Sequence, residues 1–205
     1  MNTILTDLDR KKFEPVIKEM TLLCPDIMAR KIPRANVQQA FVLAFAGSVM
    51  NKDSKILSVG SHEDTASQSF VRMKHSIVEI DPVINVSLDD YFKNTKEKFD
   101  VIISTSVIEH VQDDELFIDQ ICKLLNVGGY AILTCDYNNS YVPGYAKPIE
   151  DFRLYTKHDL LGRLLSIVIK NNCELYGDIN YDFPPDFEYG GCKYSFATYV
   201  FKKRS

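Results

Sequence analysis

Residues 99–137 read FDVIISTSVIEHVQDDELFIDQICKLLNVGGYAILTCDY, and three elements can be read from them directly. Phe99-Asp100-Val101-Ile102-Ile103-Ser104 is β-branched and apolar with a polar end, the pattern of a strand buried on both faces. Asp113, Asp114 and Glu115 supply the acids that favour the positive end of a helix, and Phe117, Ile118, Ile121, Leu124 and Leu125 recur at helical spacing. Asn126-Val127-Gly128-Gly129 stops that helix, and Tyr130-Ala131-Ile132-Leu133-Thr134 is a second strand. A strand, a helix and another strand joined by short turns form a right-handed parallel unit.

The pattern extends in both directions. Lys55-Ile56-Leu57-Ser58-Val59-Gly60 is a buried strand closed by glycine, residues 64–73 suit a helix, and Ser76–Asp81 is a strand stopped by Asp81-Pro82. Ile84–Leu88 reads as a short strand. Val37, Ala40, Phe41 and Ala44 share one helical face, and Val42, Leu43 and Phe45 make the other side apolar too, so this helix serves either a core or a second copy of the chain. Thr156-Lys157-His158-Asp159 resembles a capping box ahead of Leu161, Leu164, Leu165 and Val168. Two strands, 174–179 and 195–202, form an antiparallel edge hairpin, and the Pro-rich segment 1–35 reads as short helices. The expectation is one α/β domain of 205 residues: a helical cap (1–35), a core (36–170) and C-terminal edge strands (171–205).

Composition narrows the function. The 24 basic and 28 acidic residues give a net charge of −4, without the basic stripe of a nucleic-acid binder, so no nucleic-acid partner is expected. Five scattered cysteines suit reduced thiols. No apolar run is long enough to span a bilayer, and the expectation is a cytoplasmic protein with no membrane partner.

In a sheet of this kind ligands bind beyond the carboxyl ends of the strands, which directs attention to Gly60–Asp64, Asp81, Ser104–His110 and Thr134–Tyr137. Residues 99–137 resemble the class I S-adenosylmethionine-dependent methyltransferases, in particular the branch with Glu-His-Val after the fourth strand, here Glu109-His110-Val111. Leu124-Leu125-Asn126-Val127-Gly128-Gly129 and Arg153-Leu154-Tyr155-Thr156 also match that branch. The resemblance covers about residues 55–165 and implies a Rossmann-like, mostly parallel sheet of seven strands with helices on both faces. It further implies S-adenosylmethionine as cofactor, S-adenosylhomocysteine as product, and methyl transfer to a small molecule or carbohydrate, preferably onto oxygen.

The glycine loop departs from that family, which has Gly-x-Gly-x-Gly where this chain has Gly60-Ser61-His62-Glu63-Asp64. This loop resembles those of methyltransferases associated with polysaccharide modification. The 21-residue spacing from Gly60 to Asp81 is kept. The resemblance places Gly60, Ser61, His62, Asp64, Asp81, Ser104, Thr105 and Ser106 against the cofactor, with Asp81 on the ribose hydroxyls, where a carboxylate accepts two charge-assisted bonds. As alternatives, Asp81 forms an Asp-Pro turn, and His62, Glu63 and Asp64 are helix caps. His110 is either a general base, its ordinary pKa lying near neutrality, or a residue that fixes the loop. Asp136 is the acceptor-side candidate, with Tyr137, Arg153, Tyr155 and His158 nearby. Tyr137, Tyr141, Tyr145, Phe152 and Tyr155 line a pocket or fill the core. Quinone-pathway relatives hold a metal with this Glu, this His and a further acid; Ser106 takes that acid's place here, and no metal ligand is expected. The rival functions are a non-catalytic scaffold with a degenerate loop and a nicotinamide dehydrogenase, which needs a Gly-x-Gly-x-x-Gly that is not present.

Overall fold

A computed structural model describes residues 1–205. Its chain order is β1 (Asn2–Leu5), α1 (Asp7–Lys12), α2 (Glu14–Leu23), α3 (Pro25–Met28), α4 (Asn36–Val49), β2 (Ile56–Val59), α5 (Thr65–Arg72), β3 (Ile77–Ile80), α6 (Leu88–Asn94), β4 (Phe99–Thr105), α7 (Asp114–Leu124) and β5 (Leu125–Tyr137). A π-helical stretch, Asp159–Leu164, then runs into α8 (Leu165–Lys170), followed by β6 (Cys173–Leu175), β7 (Ile179–Asn180), β8 (Phe187–Tyr189) and β9 (Cys192–Lys203).

The sheet order is β3-β2-β4-β5-β9-β1-β7, with β6 and β8 also pairing to β9. Strands β3, β2, β4 and β5 are mutually parallel, and β9 runs antiparallel to β5 from Tyr130↔Lys202 to Tyr137↔Ser195. From β2 the chain steps outward to β3 and returns to β4 on the other side. The crevice between the carboxyl ends of β2 and β4 is therefore the switch point.

The runs read as two-sided strands are buried on both faces. Leu57, Ile102, Ala131 and Leu133 pack under α7 and α8, whereas Ile56, Val101, Ile103 and Ile132 pack under α4 and α5. A register shift between Phe99 and Val101 moves Phe99 to the Ile102 side. Helix α4 is core, with Val37, Ala40, Val42 and Ala46 fully buried within the single chain. No helix is long and apolar enough to cross a membrane.

Three expectations need correction. Residues 84–88 are not a strand: the amides of Ile84, Asn85 and Val86 all bond to the Asp81 carbonyl, and Ser87 caps α6. The N-terminal segment is not wholly helical, because Asn2–Leu5 inserts beside β9 with Ile4 and Leu5 each 1% exposed. The hairpin of β6 and β9 forms, but β9 is not an edge strand. Twelve residues long, it is flanked by β5 on one side and, end to end on the other, by β6, β1 and β8.

Candidate active site

A cavity of about 700 Å³ opens at the switch point. Its walls include Val59-Gly60 from β2, Ile80-Asp81 from β3, Thr105-Ser106 from β4, and the segment Val107–Phe117 that leads into α7. Gly60 has φ +79°, and a Cβ there would lie 2.3 Å from Cγ2 of Val107. Both backbone angle and close approach demand glycine. The positions of the family's two later glycines are His62, exposed, and Asp64, whose Oδ1 accepts the Ser67 amide at 2.6 Å and caps α5. Both line the cavity. Burial pushes the Asp64 carboxyl up from its ordinary value.

Asp81 forms the Asp-Pro turn and also lines the cavity. Oδ1 accepts the Val83 amide at 2.8 Å, making the Asp-Pro turn, and Oδ2 accepts the His62 amide at 3.0 Å. Those bonds fix the carboxylate against the cavity and use two of its roughly four lone-pair sites. The remaining sites are available to ligand hydroxyls. Glu79 is a paired acid, accepting from Ser67 Oγ and Gln68 Nε2, each at 2.7 Å.

Ser106 has φ +56°, uncommon for a residue with a side chain. Its Oγ donates to Glu109 Oε1 at 2.7 Å, and its amide donates to Thr134 Oγ1 at 3.1 Å. Thr105 and Ser106 line the cavity, whereas Ser61 and Ser104 are 1% and 2% exposed and lie behind its wall. The hydroxyls of Ser61, Ser104 and Thr105 are buried without a partner.

His110 lines the cavity, with Nδ1 3.2 Å from Asp151 Oδ1 and 3.2 Å from the Glu150 carbonyl. Asp151 above all raises the imidazolium pKa to about 9. Asp136 is not in the cavity wall. It is 5% exposed, with Oδ1 unpartnered, and its backbone amide donates to Glu109 Oε1 at 3.3 Å. Burial, then repulsion from Glu109 and Asp151, pushes the Asp136 carboxyl well up; burial likewise raises Glu109. The aromatic cluster divides. Tyr137 and Tyr155 are core, Tyr145 and Phe152 are exposed, and none of the five lines the cavity. Arg153 pairs with Asp114 at 2.5 Å and bonds the Gln112 carbonyl, and His158 is exposed near Gly162.

Several cavity residues carry no sequence motif. Lys31 reaches the mouth from the N-terminal segment, and Leu88, Leu116 and Phe117 join Val111 of the Glu-His-Val motif in apolar wall beside the polar Asp89, Gln112 and Gln120. No group of three or more His, Cys, Asp or Glu side chains has the geometry to hold a metal ion.

A model of the methyltransferase domain matches residues 28–164, about two thirds of the chain and the whole of the cavity wall up to α7. The chain belongs to the class I S-adenosylmethionine-dependent methyltransferase family. Among curated members, the mitochondrial ubiquinone biosynthesis O-methyltransferase of Homo sapiens is 28% identical over 103 residues, covering 39% of this chain and 28% of its own. The ubiquinone biosynthesis O-methyltransferase of Bartonella tribocorum is 25% identical over 165 residues, 64% of each chain. This chain thus spans under two thirds of either relative. Among solved structures, the 1,6-didemethyltoxoflavin-N1-methyltransferase of Burkholderia thailandensis, with S-adenosylhomocysteine bound, superposes with a TM-score of 0.58 at 12% identity. The superposition covers 96% of this chain and 87% of that one, a likeness of fold alone.

The family's cofactor is S-adenosylmethionine, and the cavity suits it. The wall combines a tight glycine turn, a carboxylate with free lone pairs, an unpartnered Thr105 hydroxyl and apolar side chains from Val107, Val111, Leu116 and Phe117.

Proposed function

We propose that this methyltransferase-family chain moves a methyl group from S-adenosylmethionine to a hydroxyl of a small molecule or sugar. The observation that carries the reading is the pair Gly60 and Asp81 at the switch point: Gly60 makes the tight turn that lets Val107 of the β4–α7 turn pack against the loop, and Asp81 holds an oriented carboxylate at the same cavity. When bound, the cofactor supplies a methyl carbon on a positively charged sulfur, open to in-line attack by a nucleophile. The chain's own residues align the partners and exclude water, which alone lowers a barrier by several kcal/mol.

In this reading Asp81 holds the ribose, Gly60, Ser61, His62, Asp64, Ser104, Thr105 and Ser106 shape the amino-acid end directly or from behind the wall, and Val107, Val111, Leu116 and Phe117 clasp the ring. His110, at the cavity wall, takes the acceptor proton. Asp136, withdrawn from the wall, lies behind Glu109 with its carboxyl pushed well up by burial. Oxygen is supported as acceptor atom by the two curated relatives, both O-methyltransferases by name. Five free, buried cysteines support work in a reducing compartment such as the cytoplasm.

A scaffold function is favoured by the single glycine in the loop, but a scaffold has no use for an open cavity with an oriented Asp81 carboxylate in its wall. Incubation with methyl-deuterated S-adenosylmethionine and a panel of aromatic diols, sugars and amines, read by mass spectrometry, tests the proposal. Labelled methyl ethers support it; exclusive labelling of amines, or none of any acceptor, contradicts it.

A further inference from the structure

Three carboxyl groups meet behind His110, and each has one buried oxygen without a partner: Glu109 Oε2, Asp136 Oδ1 and Asp151 Oδ2. They come from three elements: the turn after β4, the end of β5, and the connection between β5 and the π-helical stretch. Only Asp151 reaches the imidazole. Its side chain is 1% exposed while that of His110 is 43% exposed, so the contact joins a buried acid to a ring that faces the cavity.

The chemistry of that contact fixes the ring's tautomer. Nδ1 hydrogen-bonds the Glu150 carbonyl oxygen at 3.2 Å, a pure acceptor, so Nδ1 must carry a hydrogen, and Asp151 Oδ1 lies 3.2 Å from the same nitrogen as an ion-pair partner. Nε2 makes no hydrogen bond within the protein and is the nitrogen left for the cavity. We infer that Asp151 is a positioning residue of the site, holding His110, together with the Glu150 carbonyl, in the Nδ1–H form with Nε2 presented to the acceptor. In the proton step, which needs the neutral ring and so gains as pH rises toward about 9, the acceptor O–H bond breaks, an Nε2–H bond forms, and the electron pair stays on the oxygen that will carry the methyl group. Asp151 touches neither acceptor nor cofactor.

This inference rests on the methyltransferase reading, yet the property it describes belongs to the protein alone. The titratable groups of this cluster are Glu109 on the ring's own turn, Asp151 on the packed connection, Asp136 behind Glu109, and Tyr194 of β9 beside Asp136 and Asp151. Of these, Asp151 contributes most to raising the imidazolium pKa to about 9.

The test is nitrogen-detected NMR of the His110 ring in the full chain, with and without S-adenosylhomocysteine, across pH 5–11. The wild type is expected to titrate near pH 9 and to show the Nδ1–H tautomer above it. In Asp151→Asn the midpoint is expected to fall by about one unit or more, as on removal of an adjacent opposite charge, and Asp151→Glu should restore part of the shift. An Nε2–H tautomer in the wild type, which needs no variant to fold, overturns the inference. So does an unchanged midpoint in a folded Asp151→Asn. Calorimetry of the wild type with S-adenosylhomocysteine separates the two levels: absence of binding defeats the methyltransferase reading whatever the tautomer, and binding with the wrong tautomer defeats only the role of Asp151.

Discussion

At the scale of single residues, Gly60 and Asp81 carry the site for different reasons. The left-handed φ of Gly60 costs a side-chain-bearing residue about 1–2 kcal/mol, and the 2.3 Å approach to Val107 adds a clash. We predict that Gly60→Ala weakens S-adenosylhomocysteine binding at least about tenfold and lowers the melting temperature, and that a second change, Val107→Ala, recovers part of the stability; calorimetry and thermal unfolding check both. Asp81 offers charge-assisted bonds worth about 1.5–3 kcal/mol each. Asp81→Asn is therefore expected to weaken binding by about 10- to 100-fold; its single amide oxygen keeps the Val83 bond of the Asp-Pro turn, and the bond to the His62 amide is lost. Gly60 and Asp81 were legible in the sequence because their roles are local, a turn and a strand end at a fixed spacing. Asp151 was not. It lies in a connection without periodicity, and its partner His110 is 41 positions away, brought near only by the folding of that connection over the β4–α7 turn. Lys31 was hidden for the same reason.

At the scale of elements, the turn between β4 and α7 organises the site. Ser106 bends the chain at positive φ, Glu109 accepts from Ser106 Oγ and the Asp136 amide, and Asp113 caps α7 by accepting the Leu116 amide at 2.9 Å. The Glu109–Asp136 contact places two buried carboxyls against each other, and both are pushed upward. A folded-state pKa above the unfolded value means that stability is fully present below the unfolded pKa, about 4 for Asp, and is lost as pH rises through the folded one. His110, raised to about 9, has the same sign, its contribution complete below about 6.5 and fading as pH passes about 9. Asp136→Asn removes one ionisable partner. Its melting temperature is predicted to exceed that of the wild type at pH 8 by about 3 °C or more, equivalent to roughly 1 kcal/mol in a chain of this size, and to match it near pH 4. Calorimetric scans at the two pH values check this, and an equal difference at both would show that the carboxyl charge is not the cause. The strands and helices of 99–137 were legible because two-sided burial leaves continuous apolar runs. The misread strand at 84–88 has an apolar pattern too, but the Asp81 carbonyl accepts three successive amides there, a local demand that propensity does not register.

At the scale of the whole molecule, the sheet is closed by the chain's two ends. Strand β1 lies beside β9, and Asn2 is fully buried: its Nδ2 donates to the Tyr176 and Val200 carbonyls, and its Oδ1 accepts the Val200 amide at 2.7 Å. This pairing spans 198 residues of sequence, so no local pattern announces it. Removing residues 2–5 exposes the β9 edge and loses the burial of Ile4 and Leu5, about 3 kcal/mol or more in all. Thermal unfolding should then begin about 6 °C or more lower, while the switch-point cavity, at the other end of the strand order, keeps its wall. The parallel half of the sheet, with its switch point, was legible because alternation of strand and helix constrains handedness and order. The antiparallel half was legible only as a hairpin, since three short strands share one edge of β9.

The central claim is that an adenosyl sulfonium compound lies at the switch point with its sugar on Asp81. A crystal structure of the chain grown with S-adenosylhomocysteine tests it most directly. The account predicts both ribose hydroxyls on the Asp81 carboxylate and the adenine among Val107, Val111, Leu116 and Phe117; the same ligand bound elsewhere, or no density there at saturating concentration, would contradict it.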